Sequence, residues 1–538
     1  MTAVQVEGSA LKQRIEARPV WQIHGLAMLC GVIATLAHAP FFFTPAYVVG
    51  LVALVWLIDG AMDRPKPMRA AFARAWSFAF GHFLSGMYWV GFAFLQVEGA
   101  APLLPLAVAA LPAGLALFWG VAGALAVPLW SNDYRRIPAF AAVFGLVEWL
   151  RGILFTGFPW QIPGAIWPAG GAISQTAAFV GVTGLSALTL LVLAAPATAI
   201  DRGSTLRRFG PIMLAALAVG LVWGAGARRL EAAPVAMTET VVRVLDPGLS
   251  QGEKWSLDPA DVLYRYLELT GAPQDSRADV VIWPEGAVPP TYFVGVEQPM
   301  SIIDRRDMFN EIGRVLQDRV LIAGTVRAET TPQGMKQFNS AVIIDGVAGA
   351  PRVSQIYNKH HLVPFGEYLP FWELYSAVPI APLQQIGSGF TPGGRPERLV
   401  VPGAPSATIL ICYEGIFPGM IPHGAERPDW IVNISIDGWY GRQTGPWQHA
   451  NLVRYRAIEE GLPLARSASG GVSGIFDPYG RKIVATKLDG GAVEAPLPAP
   501  LAATWHARFG RYTTFVLLLV FLFIRSGSLL LAGRGLRS

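Results

Sequence analysis

Two hydrophobic rhythms divide the chain near residue 235. Before it, long apolar stretches alternate with short polar connectors, at about 21–38, 42–60, 76–96, 102–130, 137–155, 172–200 and 211–227. Each meets or approaches the roughly 20 residues that a helix needs to cross a bilayer core. From about 236 to 500 the apolar runs shrink to strand length. They fall at 240–245 (TVVRVL), 279–283, 320–328 (VLIAGTVRA), 338–345, 407–412, 430–436 and 463–467. Helical patterns interleave at roughly 257–271, 301–317 and 447–460. Short strands alternating with helices predict an α/β domain built on a central sheet. A last apolar span, about 512–533, is interrupted by Arg525. The expected organisation is a membrane domain over 1–234 with about seven helices, an extramembrane α/β domain over 235–505, and a C-terminal transmembrane helix within 506–538.

The connectors predict orientation. Arg64, Lys66, Arg69 and Arg74 follow the second span, Arg135 and Arg136 the fourth, and Arg202, Arg207 and Arg208 the sixth. The intervening connectors at 39–41 and 97–101 carry no basic residue, and 151–171 carries Arg151 alone. With Lys12, Arg14 and Arg18 ahead of the first span, the positive-inside rule puts both termini in the cytoplasm and the α/β domain outside. The first span runs on into further spans and lacks a convincing cleavage site, so it reads as a retained helix. Glu148 and Arg151, three apart, read as a helical ion pair at the membrane interface; a functional pair at membrane depth is the alternative.

Composition agrees with a membrane protein: 52% of residues are hydrophobic and 15% charged, with mean hydropathy +0.41. The net charge of +5 is distributed over the connectors instead of one patch, which speaks against nucleic acid. The two cysteines are Cys30, inside the first span, and Cys412. A disulfide between them is not expected, nor is a cysteine-based metal site.

Cys412 is the candidate nucleophile. It ends the apolar run of ATILICYEG (407–415), so a buried strand would deliver its thiol to a sheet edge. Two other strand-like runs end in chemistry: ADVVIWPEG (278–286) delivers Glu285, and QIYNKHHLVPFGEYLP (355–370) delivers Lys359. A thiol at its ordinary pKa is mostly protonated at neutral pH and needs a proton acceptor. Glu285 suits that role, and Lys359 offers positive charge for a thiolate or a tetrahedral oxyanion. His360 and His361 leave a Cys-His pairing open as an alternative.

Glu285 in WPEG, Lys359 in YNKHHLVPFGEYLP and Cys412 in ICYEG resemble the Glu-Lys-Cys triad of the nitrilase superfamily, and the extended lysine block with Glu367 resembles the apolipoprotein N-acyltransferases. The resemblance covers essentially the whole chain and implies an αββα sandwich for the extramembrane domain. It implies an enzyme of a bacterial inner membrane, its catalytic domain periplasmic and no cofactor or metal required. The implied reaction moves an acyl chain from a phospholipid, through a thioester on Cys412, to the N-terminal amine of a diacylglyceryl-cysteine lipoprotein. Glu367 and Glu414 match positions expected to orient Lys359 or the incoming amine. Tyr413 matches a position beside the oxyanion or acyl carbonyl, and Trp255 one near the substrate entrance.

The chain departs from the family pattern in three places: Asp246-Pro247-Gly248 stands for Gln-Gly-Asn, Ile436 for the Asn of Ser-Asn-Asp-Ala-Trp-Phe-Gly, and Ala468-Ser469-Gly470-Gly471 for Thr-Asn-Asn-Gly. These bear on substrate positioning. The aromatic, proline-rich stretch 363–390 reads as a lid dipping into the membrane interface. Alternatives from other classes are a membrane-tethered amidohydrolase and a transporter or scaffold carrying a pseudo-enzyme domain.

Overall fold

The computed structural model describes residues 12–96, 101–231, 235–249, 251–272, 274–288, 305–332, 334–347, 351–370 and 389–534. The chain divides into two compact units. One comprises Met1–Tyr88, Pro105–Ala233 and Phe509–Ser538, and the other Trp89–Leu104 with Pro234–Arg508.

Among the described residues, six helices are long and apolar enough to cross a membrane: Val20–Ala37, Thr44–Ala61, Pro67–Gln96, Ala101–Leu129, Ile173–Ile200 and Thr205–Glu231. A shorter apolar helical stretch is Tyr512–Ser526. The expected span 137–155 is instead the 16-residue helix Arg136–Arg151. At 1.5 Å per residue it reaches about 24 Å, short of the ~30 Å hydrocarbon core. The helix stops at Gly152, and Phe155 follows with positive φ.

Several charged groups inside the first unit are paired, as an apolar surrounding demands. Arg151 makes the expected ion pair with Glu148, Nη2 lying 2.7 Å from Oε2. The pair is buried within the unit, and Trp119 Nε1 donates to the same carboxylate at 2.7 Å. The basic connectors converge through shared acids. Asp59 lies 2.7 Å from Lys12 and 3.1 Å from Arg136, which also meets Asp201 at 2.7 Å. Glu16 lies 2.6 Å from Arg64 and 2.7 Å from Arg74. The N-terminal segment and the connectors after the second, fourth and sixth expected spans thus gather at one end.

Among the described residues, the second unit holds two sheets. Its strands are β1 Met237–Asp246, β2 Val280–Ile282, β3 Val320–Thr331, β4 Gly334–Asp345, β5 Arg352–Asn358, β6 Ala407–Ile411, β7 Trp430–Ile436, β8 Leu464–Ser469, β9 Gly474–Phe476, β10 Lys482–Ala485 and β11 Gly491–Pro498. They order as β11-β1-β2-β3-β4-β5 and β10-β9-β8-β7-β6. β2 runs parallel to β1 and β3, and β7 parallel to β6 and β8.

Period-two alternation explains the layering. Val280 and Ile282 of β2 share one core with Ile409 and Ile411 of β6 and Val432 and Ile434 of β7, so the two sheets pack face to face. Val281 faces the other way, into a core with Leu263 and Tyr266 of helix Pro259–Thr270 and Ile312 of helix Arg305–Leu316. Helix Gly445–Glu460 covers the second sheet: its Arg456 donates to Ile416 O at 2.7 Å, and His449 reaches the side chains above β7 and β8. The expected αββα sandwich is the observed one. Within the expected lid, 371–388 lies outside the described residues.

Candidate active site

Three strands end where the chemistry collects. β6 stops at Ile411, and the next residue, Cys412, takes φ +50° before a short 3-10 turn, Cys412–Ile416. A non-glycine residue in the left-handed region is strained, and such strain is held where the surroundings over-determine the backbone. Glu414 supplies that determination. Its buried carboxylate accepts the N–H of Ile411 at 2.7 Å, of His360 at 2.8 Å and of His361 at 3.0 Å, and the Tyr357 hydroxyl at 2.7 Å. It pins the cysteine turn to the lysine loop. Burial raises its pKa, against those hydrogen bonds and the Lys359 charge.

Lys359 follows β5 and is 1% exposed. Its N–H donates to Asn339 O on β4 at 2.8 Å. Nζ lies 2.9 Å from Glu367 and 3.6 Å from Glu285. Burial opposes the lysine charge, yet Glu367, then Glu285, Cys412 and Glu414, outweigh it and hold the proton more tightly than in an ordinary lysine.

Glu285 follows β2 through Trp283-Pro284. Its Oε1 accepts Asn339 Nδ2 at 2.7 Å, and its Oε2 accepts the backbone N–H of Ile436 at 3.0 Å. Asn339 Nδ2 also donates to Glu367 Oε1 at 2.7 Å, so one amide aligns both carboxylates beside the lysine. Gly324 on β3 makes room for this strand end, since a Cβ there would stand 2.5 Å from Glu285 Cα.

The Cys412 thiol is 5% exposed. Burial first, and the Glu285 charge second, push it up to about 12, while Lys359 and a hydrogen bond with Ser435 pull the other way. The resting sulphur is therefore a neutral thiol, and it becomes a nucleophile as its proton leaves. A carboxylate and an ammonium both acting on that sulphur can deliver general-base catalysis and oxyanion stabilisation. Among the described residues no cluster of His, Cys, Asp and Glu has the makings of a metal site.

Residues 30–195 match the model of the apolipoprotein N-acyltransferase N-terminal domain, and residues 248–506 that of the carbon-nitrogen hydrolases. A protein of Rhodopseudomonas palustris named apolipoprotein N-acyltransferase is 38% identical over 92% of this chain and 93% of its own length. One of the same name from Brucella melitensis is 38% identical over 96% of this chain and 97% of its own. The chain belongs to the apolipoprotein N-acyltransferase family. Among solved structures, an amidase of the nitrilase superfamily from Nesterenkonia AN1 aligns with 18% identity and a TM-score of 0.35, over 48% of this chain and 92% of that one.

In this acyltransferase-family chain, Glu285, Lys359, Cys412, Glu367 and Glu414 come together as one polar cluster. Glu414 accepts from the backbone beside Lys359 and beside Cys412, and from Tyr357. Tyr413 packs its ring on Phe417 and His361, with centroids 4.9 and 5.7 Å away. Trp255 lies in helix Gln251–Ser256, and its side chain is outside the described atoms. The open Cys-His alternative finds a different histidine. His360 Nδ1 lies 2.9 Å from Gly393 O, and the His361 ring meets Phe417 at a tilt of 41°. The imidazole that meets the nucleophile is His449, 3.3 Å from the Cys412 backbone carbonyl and not its sulphur.

His449 belongs to a buried group that sequence reasoning missed. Its Nδ1 lies 2.8 Å from Asp437 Oδ1, Arg466 Nη2 lies 2.5 Å from Asp437 Oδ2, and Arg466 also bonds Asn433. Burial works against the Asp437 charge, but Arg466 and His449 hold its pKa well below the usual range. Asn339, His449 and Arg466 sit within runs read only as strands and helix, and Asp437 directly follows one. Their signal in the sequence was polarity at positions where a buried element should be apolar.

Proposed function

We propose that this chain is an apolipoprotein N-acyltransferase whose reaction runs through a thioester on Cys412. The observation that carries the reading is the set of Cys412, Glu285 and Lys359, each more than nine-tenths buried at a strand end of a chain in this family. The sulphur attacks the ester carbonyl of a phospholipid while Glu285 takes the thiol proton. Lys359 balances the charge on the tetrahedral oxygen. Collapse releases the lysophospholipid, whose departing oxygen takes the proton from Glu285. The N-terminal amine of a diacylglyceryl-cysteine lipoprotein then attacks the thioester and gives a proton to Glu285. An amide forms, and the sulphur leaves and is reprotonated. Two half-reactions at one sulphur imply ping-pong kinetics.

The protein is a multi-pass component of a bacterial inner membrane that handles lipid and lipoprotein. The gathering of the basic connectors at one end of the first unit supports cytoplasmic termini with the second unit on the periplasmic side. Hydrolysis of soluble amides is the less supported reading.

The test is to incubate the purified full chain with phospholipid and measure an acyl adduct on Cys412 by mass spectrometry. The adduct should form, disappear on adding a lipoprotein acceptor, and be absent from Cys412→Ala and Cys412→Ser. Cys30→Ala should be nearly silent. Substantial transfer by Cys412→Ala would remove the mechanism.

A further inference from the structure

A phenol faces the nucleophile. Tyr440 ends the 3-10 turn Asp437–Tyr440 after β7, and its hydroxyl lies 3.8 Å from Cys412 Sγ, within hydrogen-bond range for sulphur. Two rings fix the phenol. Trp89 meets it edge to face with centroids 4.7 Å apart at 64°, and His449 does so at 5.8 Å and 75°. Trp89 is itself held, Nε1 donating to Gln448 Oε1 at 3.2 Å, and Gln96 Nε2 donates to Gly438 O at 3.0 Å within the same turn. Trp89 and Gln96 both belong to the short segment Trp89–Leu104 of the second unit.

We propose that Tyr440 is a catalytic residue that donates its hydroxyl hydrogen to the Cys412 sulphur as negative charge develops there, and that Trp89 is the positioning residue that aims it. The inference rests on the thioester reading above. Ser435 also reaches the sulphur, but its hydroxyl donates to Asp437 Oδ1 at 2.7 Å. The phenol has the opposite balance. Burial, and then the Cys412 and Asp437 charges, keep it protonated well above the ordinary tyrosine range. It therefore remains a donor at any pH at which the enzyme works. During attack the thiol proton goes to Glu285 and the sulphur lone pair to the carbonyl carbon, while Tyr440 keeps its own proton throughout.

Charged and titratable groups surround this cysteine from several elements: Glu285 after β2, Lys359 after β5, and Asp437 and Tyr440 after β7 act on the sulphur, while Glu414 holds the N–H of Ile411, His449 on helix Gly445–Glu460 meets the Cys412 carbonyl, and Arg466 on β8 pairs with Asp437. Replacing one hydroxyl leaves all the others in place, so the change is readable as a pH profile. The full chain carrying Cys30→Ala, in detergent, is alkylated with iodoacetamide between pH 6 and 10, with and without Tyr440→Phe. Loss of the donor should move the profile about one unit higher, which is roughly tenfold slower alkylation in its rising part, with acyl transfer from phospholipid falling in parallel.

Trp89→Leu should shift the profile the same way by less, and it serves as the reading if Tyr440→Phe does not fold. An unchanged profile in the folded variant would overturn the proposal, because a packing role does not move the pH at which sulphur reacts. Failure of the thioester reading would appear elsewhere, as transfer surviving in Cys412→Ala.

Discussion

Glu285 Oε2 accepts the backbone N–H of Ile436 at 3.0 Å, joining the end of β2 in one sheet to the end of β7 in the other. The contact is made by the peptide and not by the side chain. Position 436 is where the sequence departs from the Asn of the family pattern, and the bond to Glu285 does not depend on which residue stands there.

Ile436→Asn should therefore keep acylation of Cys412 within about tenfold of the unmodified rate. Its cost should appear as stability, because a buried apolar side chain is replaced; a fall in Tm of a few degrees is of the order expected. The adduct mass and a thermal melt measure the two effects. A loss of acylation as deep as that of Glu285→Gln would mean that the side chain matters and the peptide bond does not.

Glu285→Gln and Lys359→Met should both fail to accumulate thioester, with rates down by about 10²–10⁴ for the missing proton acceptor and roughly 10²–10³ for the missing charge. Their stabilities should differ. Gln keeps one carbonyl oxygen, which can accept from Asn339 Nδ2 or from the Ile436 N–H but not from both, whereas Met leaves Glu285 and Glu367 without their cation, a loss on the order of 3–5 kcal/mol for a broken buried pair. Intact-protein mass spectrometry and denaturant unfolding separate the two. Thioester build-up in either variant would remove that residue from the chemistry.

Asp246 accepts Gly248 N–H at 2.9 Å and Gly470 N–H at 3.0 Å through Oδ1, and among the described residues its buried Oδ2 meets no donor. Burial, against those two bonds and with Asp437 adding to it, pushes its pKa up to about 7. An unfolded aspartate releases its proton near ~3.9. Between these values the folded state binds more protons than the unfolded one, so stability falls as pH rises through that window and stays lowered above it. Asp246→Asn keeps the accepting oxygen without the charge. It should raise Tm at pH 8 by roughly 2–4 °C and change little at pH 4. An equal effect at both pH values would show that charge is not the cause.

An impermeant thiol reagent added to intact cells should label cysteines introduced at exposed sites in 235–500. It should miss those introduced in the basic connectors at 61–75 and 202–209. Labelling of the connectors from outside would reverse the orientation inferred from the positive charges.

Apolar length and strand-to-helix alternation made the two-part architecture legible, because burial sets those patterns directly. Glu285, Lys359 and Cys412 were legible because each ends an apolar run. Asn339 was not, since a single amide inside a strand reads as an irregularity until its partners, Glu285 and Glu367, are seen beside it. The stretch 137–155 was read as a span because its apolar run approaches the length of a crossing, and Arg136, Glu148 and Arg151 fall in or beside it. What the pattern hides is that all three are buried against partners from other helices or from their own turn. Two family departures, at Asp246 and Gly470, turn out to be hydrogen-bonded to each other, a pairing that a linear reading cannot anticipate.

Trp89–Leu104 belongs to the second unit although it lies far from the rest of it in sequence. The chain passes between the units at 88/89, 104/105, 233/234 and 508/509, so the second unit is not one continuous stretch of polypeptide. A recombinant fragment beginning near residue 235 would carry Cys412, Glu285 and Lys359 yet lack Trp89 and Gln96. Its Tyr440 turn would lose two of its anchors, and kinetics measured on such a fragment would describe a different enzyme.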